Sequence, residues 1–547
     1  MRCAVSQFNI RKRDGLGRTG LFRHEGLELK LPAATDTLRL FPALESQYNA
    51  NMPVSATAAV ARQFPPKSGV SPVTIHPQLD NTAVSGDCVM MANWHTAFAN
   101  PRNYVEWLVC LKEKTPSDTA WYAPAAAIPS TAAILCYSGF DLFDLIGVDL
   151  KSAQGIFCTA DGEFTADVMA TGCCTCAGCA DRNLKEHNRN ALRQELTLIG
   201  RFIELGQLRD LIESRCRMSA NQVAIMRNLD NQYAFMDKAQ PIGRSCVMRA
   251  NSGDSMHRVE VRRFAERVLT RYIPPKTDVA VLLPCSARKP YSQSQTHKRF
   301  QMAIGSRAHE LIVTSPLGLV PRELETIYPA GHYDVPVTGY WDAEESAFIS
   351  SILTRYFKRH HYRRVLAHLE GGALIVARQA AEAAGITLEC TCEEHPTGDS
   401  ALNALNSALV GERRIKDDRL HGMASYQFNI DLDTKGCTMR GHFPEIFYIR
   451  NNLQLFSIDT GTGMLRPTID GWNLIPDGYR VHIDDFIPEG DVLTPGVMRA
   501  DSDIRDGDEV LVVGARALAT GRAAMPADEM LRSKRGVAVR VRKIKRL

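Results

Sequence analysis

The sequence lacks the features that would direct a chain to a membrane or across one. Its first residues, MRCAVSQFNIRKRDG, contain no apolar core of the kind that a secretory signal peptide has. The uncharged run TAWYAPAAAIPSTAAILCYSGF is long enough to span a bilayer, but Pro124, Pro129 and many small residues favour a buried strand and helix. The chain has fifteen cysteines, an odd number, and no secretory signal. This combination is typical of proteins in a reducing compartment, where cysteines stay unpaired. We therefore expect no membrane span and a cytoplasmic location.

The chain as a whole also lacks a large excess of positive or negative charge. The formal net charge is only +4 over 547 residues, so bulk charge does not indicate a nucleic-acid partner. The last seventeen residues are different: LRSKRGVAVRVRKIKRL contains eight lysines and arginines and no acid. Valines alternate with arginines in this stretch, which predicts a half-buried strand with a basic outer face.

The hydrophobic pattern predicts an α/β chain of four domains. Residues 1–60 show little periodicity, and residues 121–164 then alternate short apolar runs with small-residue turns, an α/β rhythm. We expect residues 1–240 to form one domain. Residues 245–410 contain the continuous apolar strand DVAVLL and then a strand–helix–strand succession, which predicts a doubly wound sheet. Residues 411–475 indicate a small α+β domain, and residues 476–547 contain short strands separated by PEGD, DGDE and GAR, which predict a β-rich module.

A cysteine cluster in GCCTCAGCADRNLKEHN predicts a metal site. Cys174, Cys176 and Cys179 form a C-x-C-x2-C pattern, and His187 follows eight residues later. Three thiolates and an imidazole complete a tetrahedral Zn2+ site with no open position, so the ion would be structural. Cys173, Cys176 and Cys179 also spell C-x2-C-x2-C, which an iron–sulfur cluster can use. The helix after the cluster should bury one face, marked by Leu192, Leu196, Ile199 and Ile203.

This cysteine pattern, followed by EHN and a long helix, resembles the zinc motif of tRNA-guanine transglycosylases. The resemblance implies that Cys174, Cys176, Cys179 and His187 hold the zinc. Upstream, YSGFDLFDLIG resembles the barrel strand that carries the family's nucleophilic aspartate, which would be Asp144. Too few residues precede Asp144 for the complete barrel, and no DSGGFQ-like segment supplies the other aspartate. We expect a shortened TIM-barrel-like domain that has lost this activity, with Asp144 as a strand-end carboxylate.

A second motif follows the apolar strand of the doubly wound domain. PCSARKPYSQSQTH resembles the archaeosine synthase signature P-C-S-x2-K-P-Y-x2-S-x-S-H, with Thr296 in place of a serine. The nearby TSPLGLVPRELETIYPAGHYDVPVTGYW is also similar to that family. The resemblance implies a substrate, tRNA carrying 7-cyano-7-deazaguanine at position 15, and an amine donor, lysine or glutamine, that adds to the nitrile. It further implies a radical-SAM partner subunit that splits the adduct, and assembly into a homo-oligomer is expected.

The residue types of this motif suit that chemistry on their own. A thiolate can add to a nitrile carbon to give a thioimidate that an amine then displaces, and Cys285 follows a strand where open α/β sheets bind ligands. Lys289 can lower the pKa of the thiol, and His297 is suited to proton transfer. Ser286, Tyr291 and Ser294 offer hydrogen bonds to the base or the donor. Each role has an alternative. Cys285 would then be a small buried hydrophobic residue at a strand end, and Lys289 and Arg288 would bind phosphate.

The C-terminal segment from IPDGYR onward resembles a PUA domain, a small RNA-binding β barrel. The glycines of the DGDE turn and of the GRA and RGVAV stretches stand in the expected order. The resemblance implies that a set of cations contacts RNA phosphates: Arg532, Lys534, Arg535, Arg540, Arg542 and Lys543. The alternative is solvated charge on a barrel rim.

Three functions follow from these patterns. The first is an enzyme that adds an amine to the nitrile of a modified base in tRNA, and the motif around Cys285 favours it. The second is a non-catalytic subunit that presents tRNA to a partner. The third is an active transglycosylase that uses Asp144, which the missing first part of the barrel disfavours.

Overall fold

The computed structural model describes residues 6–24, 26–36, 73–75, 86–336, 340–392, 395–416 and 418–547. The chain is a mixed α/β protein that forms two compact units. The first unit comprises Met1–Pro241, Asp491–Asp506 and Ala524–Arg540, and the second comprises Ile242–Gly490, Gly507–Ala523 and Val541–Leu547. No helix among the described residues is long and apolar enough to cross a membrane.

The first unit contains a parallel sheet with an unusual strand order. Its strands lie in the order Val73–Ile75, Cys88–Met91, Ala120–Ala123, Leu142–Asp144 and Ala33–Thr35. The earliest strand along the chain therefore lies beside the latest one, with Ala33 opposite Leu142. A sheet in this order curls toward closure, and Met90, Tyr122 and Leu142 belong to its buried core. Phe8 and Phe22 join that core from an antiparallel sheet formed by Gln7–Asp14, Gly17–His24 and Leu27–Leu31.

The helices of the first unit pack around these sheets. The long helix Leu184–Leu205 begins at Asn183, whose side chain accepts a hydrogen bond from the Glu186 amide at 3.0 Å, and it ends at Gly206 in the left-handed conformation. Its four predicted core positions are all buried, which confirms the predicted face. A hairpin of Ile156–Thr159 and Gly162–Thr165 precedes it. Among the described residues, this unit has these other α-helices: Pro101–Lys114, Pro129–Tyr137, Ile146–Ala153, Ala177–Ala180, Leu208–Arg215, Ala220–Asn231, Tyr233–Ala239 and Ala527–Arg532.

The second unit is built on a five-stranded sheet. Its strands lie in the order Gly318–Pro321, His309–Thr314, Val279–Pro284, Arg364–Ala367 and Leu388–Cys390, parallel except for the first. Val281 and Leu283 of the central strand are buried against Phe300 and Leu405 from helices. The α-helices of this unit are Val259–Thr270, Gln295–Ile304, Ala343–Arg359, Gly371–Ala384, Asp399–Ala408, Arg419–Phe428 and Ile469–Trp472.

Short strands complete both units. In the second, Met248–Arg249 pairs in parallel with Tyr333–Asp334. An antiparallel sheet follows, formed by Thr438–His442, Glu445–Arg450, Leu453–Ile458 and Leu465–Pro467. Near the C-terminus, Glu509–Val513 pairs in parallel with Arg480–Ile483 and antiparallel with Ala517–Ala523. In the first unit, Val492–Leu493 pairs with the beginning of Val537–Arg546, and Val497–Ala500 forms a further strand.

Candidate active site and metal centre

Cys285 lies at the point where the direction of the sheet changes. From the central strand Val279–Pro284, the chain passes to His309–Thr314 on one side and later to Arg364–Ala367 on the other. The connections leave a crevice outside the carboxyl end of the central strand, which is where open α/β sheets bind their ligands. Cys285 is the residue after that strand and is partly exposed, so it is not sealed in the core.

A lysine and two phenols lie within electrostatic reach of Cys285. The Lys289 ammonium stands 4.0 Å from the centre of the Tyr333 ring. Burial lowers the pKa of Lys289, while negative charge on Cys285 and Asp334 raises it. Burial raises the pKa of Tyr291 and of Tyr333, and a charged Cys285 raises both further. The site therefore couples a thiol to an ammonium that holds its proton less tightly than an exposed lysine does.

The hydroxyl groups of the motif make two kinds of hydrogen bond, either to other buried hydroxyls or to the backbone of the loop and helix. The Tyr291 and Tyr333 hydroxyls are 2.6 Å apart, and the Thr314 hydroxyl is 2.7 Å from that of Tyr333. This buried chain fixes the ring that covers Lys289. Ser294 instead accepts the His297 amide at 3.1 Å and begins the helix Gln295–Ile304. Ser286 donates to the Arg288 carbonyl at 3.0 Å, which shapes the loop.

His297 is fully buried, and its surroundings oppose the predicted proton transfer. Nδ1 accepts a hydrogen bond from Nη2 of Arg322 at 2.8 Å. Burial and, to a smaller extent, the Arg322 charge lower the pKa of His297 to about 3, although the Pro284 carbonyl acts in the opposite direction. The imidazole is therefore neutral near pH 7 and has no proton on Nδ1 to give. It packs between Tyr291 and Phe300, with ring centres 5.2 and 5.4 Å away, and so positions the start of its helix.

Arg322 is a site residue that the motif does not reveal. Its guanidinium pairs with Glu310 at 2.6 Å and with Glu325 at 2.8 Å, and all of these side chains are nearly inaccessible to solvent. Glu325 also accepts the Ser292 amide at 2.8 Å, which ties the loop after Cys285 to the buried cluster. Such a network is stable only when all its members are paired, so it fixes the shape of the loop.

The predicted metal ligands lie together in the first unit. The ligand atoms of Cys174, Cys176, Cys179 and His187 are all within 4.8 Å of one another. Nδ1 of His187 is 3.4 Å from the Cys176 sulfur and 3.3 Å from the Cys179 sulfur. A cation at their centre would meet four soft or borderline ligands in the combination that Zn2+ prefers.

The outer contacts of this cluster fit a metal site. Nε2 of His187 donates to the Cys158 carbonyl at 3.0 Å, which leaves the lone pair of Nδ1 directed at the thiols, as in histidines that bind metal. The Phe157 ring stacks on the imidazole at 3.8 Å. A Cβ on Gly178 would stand 2.4 Å from the His187 backbone nitrogen, so only glycine permits this approach. Cys173 is exposed, and its thiol donates to the Val168 carbonyl at 3.7 Å. It is not one of the four clustered residues, whereas the iron–sulfur alternative requires it as a ligand.

Comparison with known proteins identifies the family. Family models match residues 261–409, as a domain of unknown function, DUF5591, and residues 479–545, as a PUA domain. The archaeosine synthase subunit alpha of Methanosarcina acetivorans is 38% identical over 500 residues, which cover 84% of this chain and 80% of that protein. This chain belongs to the archaeosine synthase family. The archaeosine synthase of Haloferax volcanii is 36% identical over 84% of this chain and 82% of its own length.

The archaeosine synthase resemblance of the motif is thereby confirmed, and a more distant relationship is also found. The tRNA-guanine(15) transglycosylase of Methanobrevibacter smithii is 25% identical, over 78% of this chain and 67% of its own length. Asp144, the predicted strand-end carboxylate, is the last residue of the strand Leu142–Asp144. Its buried carboxylate accepts hydrogen bonds from the Tyr122 hydroxyl at 2.6 Å and from the backbone amides of Ala125 and Ile146 at 2.8 and 3.0 Å. These bonds hold the carboxylate in place at the end of its strand.

The six predicted phosphate ligands all lie within the PUA match, in different surroundings. Arg532 donates to the Thr115 carbonyl at 2.6 Å, and Arg542 pairs with the buried Glu509 at 2.6 Å. Lys534 and Arg535 stand 4.0 and 3.9 Å from Asp87, at the limit of an ion pair. Arg540 and Lys543 are exposed and pair with no acid in the part of the chain that the structure describes. Contact with RNA stays a prediction for all six.

Proposed function

We propose that this chain is a tRNA-modifying enzyme of archaeosine biosynthesis that adds an amine to the nitrile of 7-cyano-7-deazaguanine in tRNA. The observation that carries the proposal is the placement of Cys285 at the switch point of the sheet, beside Lys289. Membership of the archaeosine synthase family and the PUA match support tRNA as the substrate. Lysine is the proposed donor, with glutamine as the other candidate, and a radical-SAM subunit and a homo-oligomer belong to the same proposal.

The proposed reaction has two steps at one carbon. The Cys285 thiolate attacks the nitrile carbon, a C–S bond forms, and the nitrile nitrogen takes a proton to give a thioimidate. The donor amine then attacks the same carbon and the C–S bond breaks. The thiolate leaves and the amine loses a proton, so the product is an N-substituted amidine and the cysteine is regenerated.

Lys289 is the proposed proton donor for the first step. Burial lowers its pKa, which makes proton transfer to the nitrile nitrogen easier than from an exposed lysine. Its ammonium also stabilises the thiolate before attack. His297 and Arg322 are positioning residues in this scheme, since the imidazole has no acidic proton near pH 7. The hydroxyls of Tyr291 and Tyr333 hold the ring against which Lys289 rests.

The cluster of Cys174, Cys176, Cys179 and His187 is proposed to hold Zn2+ in a structural role. Four protein ligands leave no position for a substrate, so the ion would fix the hairpin and the cysteine loop to the long helix. No step of the reaction requires it.

One assay distinguishes this function from its alternatives. The pure protein is incubated with tRNA carrying 7-cyano-7-deazaguanine and each candidate amine, and the nucleosides are analysed by mass. A mass increase equal to one lysine supports the proposal. No change with any donor would indicate a non-catalytic tRNA-binding subunit, and release of the free base would indicate transglycosylation.

A further inference from the structure

A solvent-filled groove of about 670 Å3 lies at the amino-terminal end of the catalytic sheet. Val279, the first residue of the central strand, lines it, together with the irregular connector that follows the helix Asp399–Ala408. Cys285 follows the other end of the same strand. Six residues of strand extend about 20 Å, so the groove is separate from the crevice at Cys285.

The acids of this groove are neutralised by arginines of the same unit. Glu412 accepts hydrogen bonds from Arg363 at 2.8 Å and from Arg364 at 2.7 Å. Asp278 accepts from Arg363 at 2.8 Å. These arginines lower the pKa of both carboxyl groups, so the acids remain charged but are already paired. They add little negative potential to the groove.

Four further cations, all exposed, lie in this groove or directly beside it, where Lys416 follows the last lining residue, Ile415. They are Lys276, Arg413, Arg414 and Lys416. Among the residues that the structure describes, Lys276, Arg414 and Lys416 form no ion pair. The residues that line this groove therefore carry more positive than negative charge, and Lys276, Arg414 and Lys416 are available to an anionic ligand.

The connector that presents these cations is held in place. The Ile415 amide donates to the Ser306 carbonyl at 2.7 Å. Arg307 also lines the groove, and its guanidinium donates to the Leu409 carbonyl at 3.2 Å, where the connector begins, and to the Asn406 side chain at 2.6 Å. A fixed backbone reduces the entropy lost when the exposed side chains bind a ligand.

The positive surface continues beyond this groove. An adjoining groove of about 500 Å3 shares Lys276 and Ile415 with the first and is also lined by Lys416, Arg419 and one acid, Asp418. The Asp418 carboxylate accepts the Thr434 hydroxyl at 3.1 Å. Its outer wall includes Met439, which is 44% exposed on the strand Thr438–His442. The two grooves together exceed a drug-sized site of roughly 300–1,000 Å3, which favours an extended anion over a single phosphate.

We propose that these adjoining grooves bind the phosphate backbone of the tRNA substrate, at a distance from the nucleotide that reacts. The inference rests on the proposed function for the identity of the RNA. Its phosphates would displace counterions and pair with Lys276, Arg414 and Lys416, so the surface contributes affinity and orientation without touching the reacting atoms.

A pair of double variants tests this surface. Arg414→Gln/Lys416→Gln removes one charge from each of the two grooves. Arg355→Gln/Lys358→Gln removes an arginine and a lysine from exposed positions of the helix Ala343–Arg359 in the same unit. Binding of a tRNA transcript is measured by fluorescence anisotropy across a salt series. The groove variant should bind more weakly, and its slope of log affinity against log salt should be shallower by about 1.4–1.8, the value for two lost contacts. The helix variant should match the wild type.

The outcomes separate the inference from the proposed function. If the wild type binds tRNA and the groove variant gives the same isotherms, the inference is wrong, and the groove is then open to an acidic protein surface. It is also wrong if both double variants lose affinity equally. The tRNA concentration that gives half the maximal rate of adduct formation should be higher for the groove variant than for the wild type. If the wild type forms no adduct with any donor while the groove variant still loses affinity, the function fails and the inference stands. A wild type that does not bind tRNA overturns both.

Discussion

Arg322 donates a hydrogen bond through Nη2 to Nδ1 of His297 at 2.8 Å, in a region closed to solvent. An imidazole that accepts at Nδ1 is neutral and carries its proton on Nε2. The same arginine pairs with Glu310 and Glu325, so its charge is balanced inside the fold. In this arrangement His297 is uncharged near pH 7 and contributes to the site through packing and its hydrogen bond.

The buried His297 should make stability depend on pH. In the unfolded chain a histidine takes up a proton below about pH 6.5. In the fold the pKa of His297 is lowered to about 3, so the folded state binds fewer protons between these values. Stability is therefore fully present above pH 6.5 and declines as the pH falls toward 3. Between pH 7 and 5 this residue should account for a loss of about 2 kcal/mol.

His297→Gln removes this titration and keeps an oxygen that can accept from Arg322. The free energy of unfolding in urea should then decrease by about 2 kcal/mol less between pH 7 and 5 than in the wild type. Identical pH dependence in the two proteins would show that His297 titrates normally. An activity profile with a break near pH 6.5 that only the wild type shows would support the general-acid role instead.

Cys285→Ala should abolish adduct formation while tRNA affinity stays unchanged, because alanine removes the nucleophile and no phosphate contact. With the amine donor omitted, the wild type should be trapped on nitrile-bearing tRNA as a band that survives denaturation. Cys390→Ala is the matched control, since Cys390 is an exposed cysteine at the end of the strand Leu388–Cys390 in the same sheet. It should keep both the band and the activity.

A different result would point to direct attack by the amine on a polarised nitrile. In that mechanism Cys285→Ala retains appreciable activity, and no denaturation-resistant band forms in the wild type. Lys289→Gln should then be the more damaging substitution, since the ammonium would be the group that polarises the nitrile. Either mechanism leaves the proposed substrate in place.

Cys176→Ser should remove bound metal and lower the melting temperature, because structural zinc contributes free energy of folding. Cys173→Ser is the control, since Cys173 lies next to the cluster in sequence but outside it in the fold. Metal content is measured by mass spectrometry of the purified proteins. Zinc loss in both variants, or absorption near 400 nm with iron in place of zinc, would favour the cluster that includes Cys173.

Two arginines on the last strand should respond differently to substitution. Arg542→Gln should destabilise the fold by about 1–3 kcal/mol, because Glu509 is 2% exposed and loses its nearest cation. Arg540→Gln should change stability by less than about 0.5 kcal/mol and should make the salt dependence of tRNA binding shallower by about 0.7–0.9. Thermal melting and anisotropy measure the two effects. The assignment of Arg540 would be wrong if its substitution left the salt dependence intact.

Local features of the site could be predicted from the sequence. The apolar run before Cys285 predicts a strand with buried faces, and the strand Val279–Pro284 is central in its sheet. The spacing of Leu192, Leu196 and Ile199 predicts the buried face of the long helix. In these cases the residues that interact are near neighbours along the chain or follow one period, so a single segment contains the information.

The rest depends on distant parts of the chain. Tyr333 and Arg322 reach the motif from other elements, and nothing in the motif itself indicates the proton-poor setting of His297. Spacing alone also could not decide between Cys173 and Cys174, because adjacent residues differ only in which way the loop turns them. The sequence pattern does not indicate the strand Gln7–Asp14, because its register shifts between Ile10 and Lys12 and the alternation of apolar and polar residues is broken there.

The pairing of Ala33 with Leu142 has a consequence for how the chain is made. The partner of the strand Ala33–Thr35 is synthesised 109 positions later, after three other strands of the same sheet. At translation rates of about 5–20 residues per second, roughly 5–20 s pass before this edge can be completed. During that interval the nascent first unit has an unpaired strand edge, which favours binding by chaperones and makes its folding rate sensitive to the speed of the ribosome.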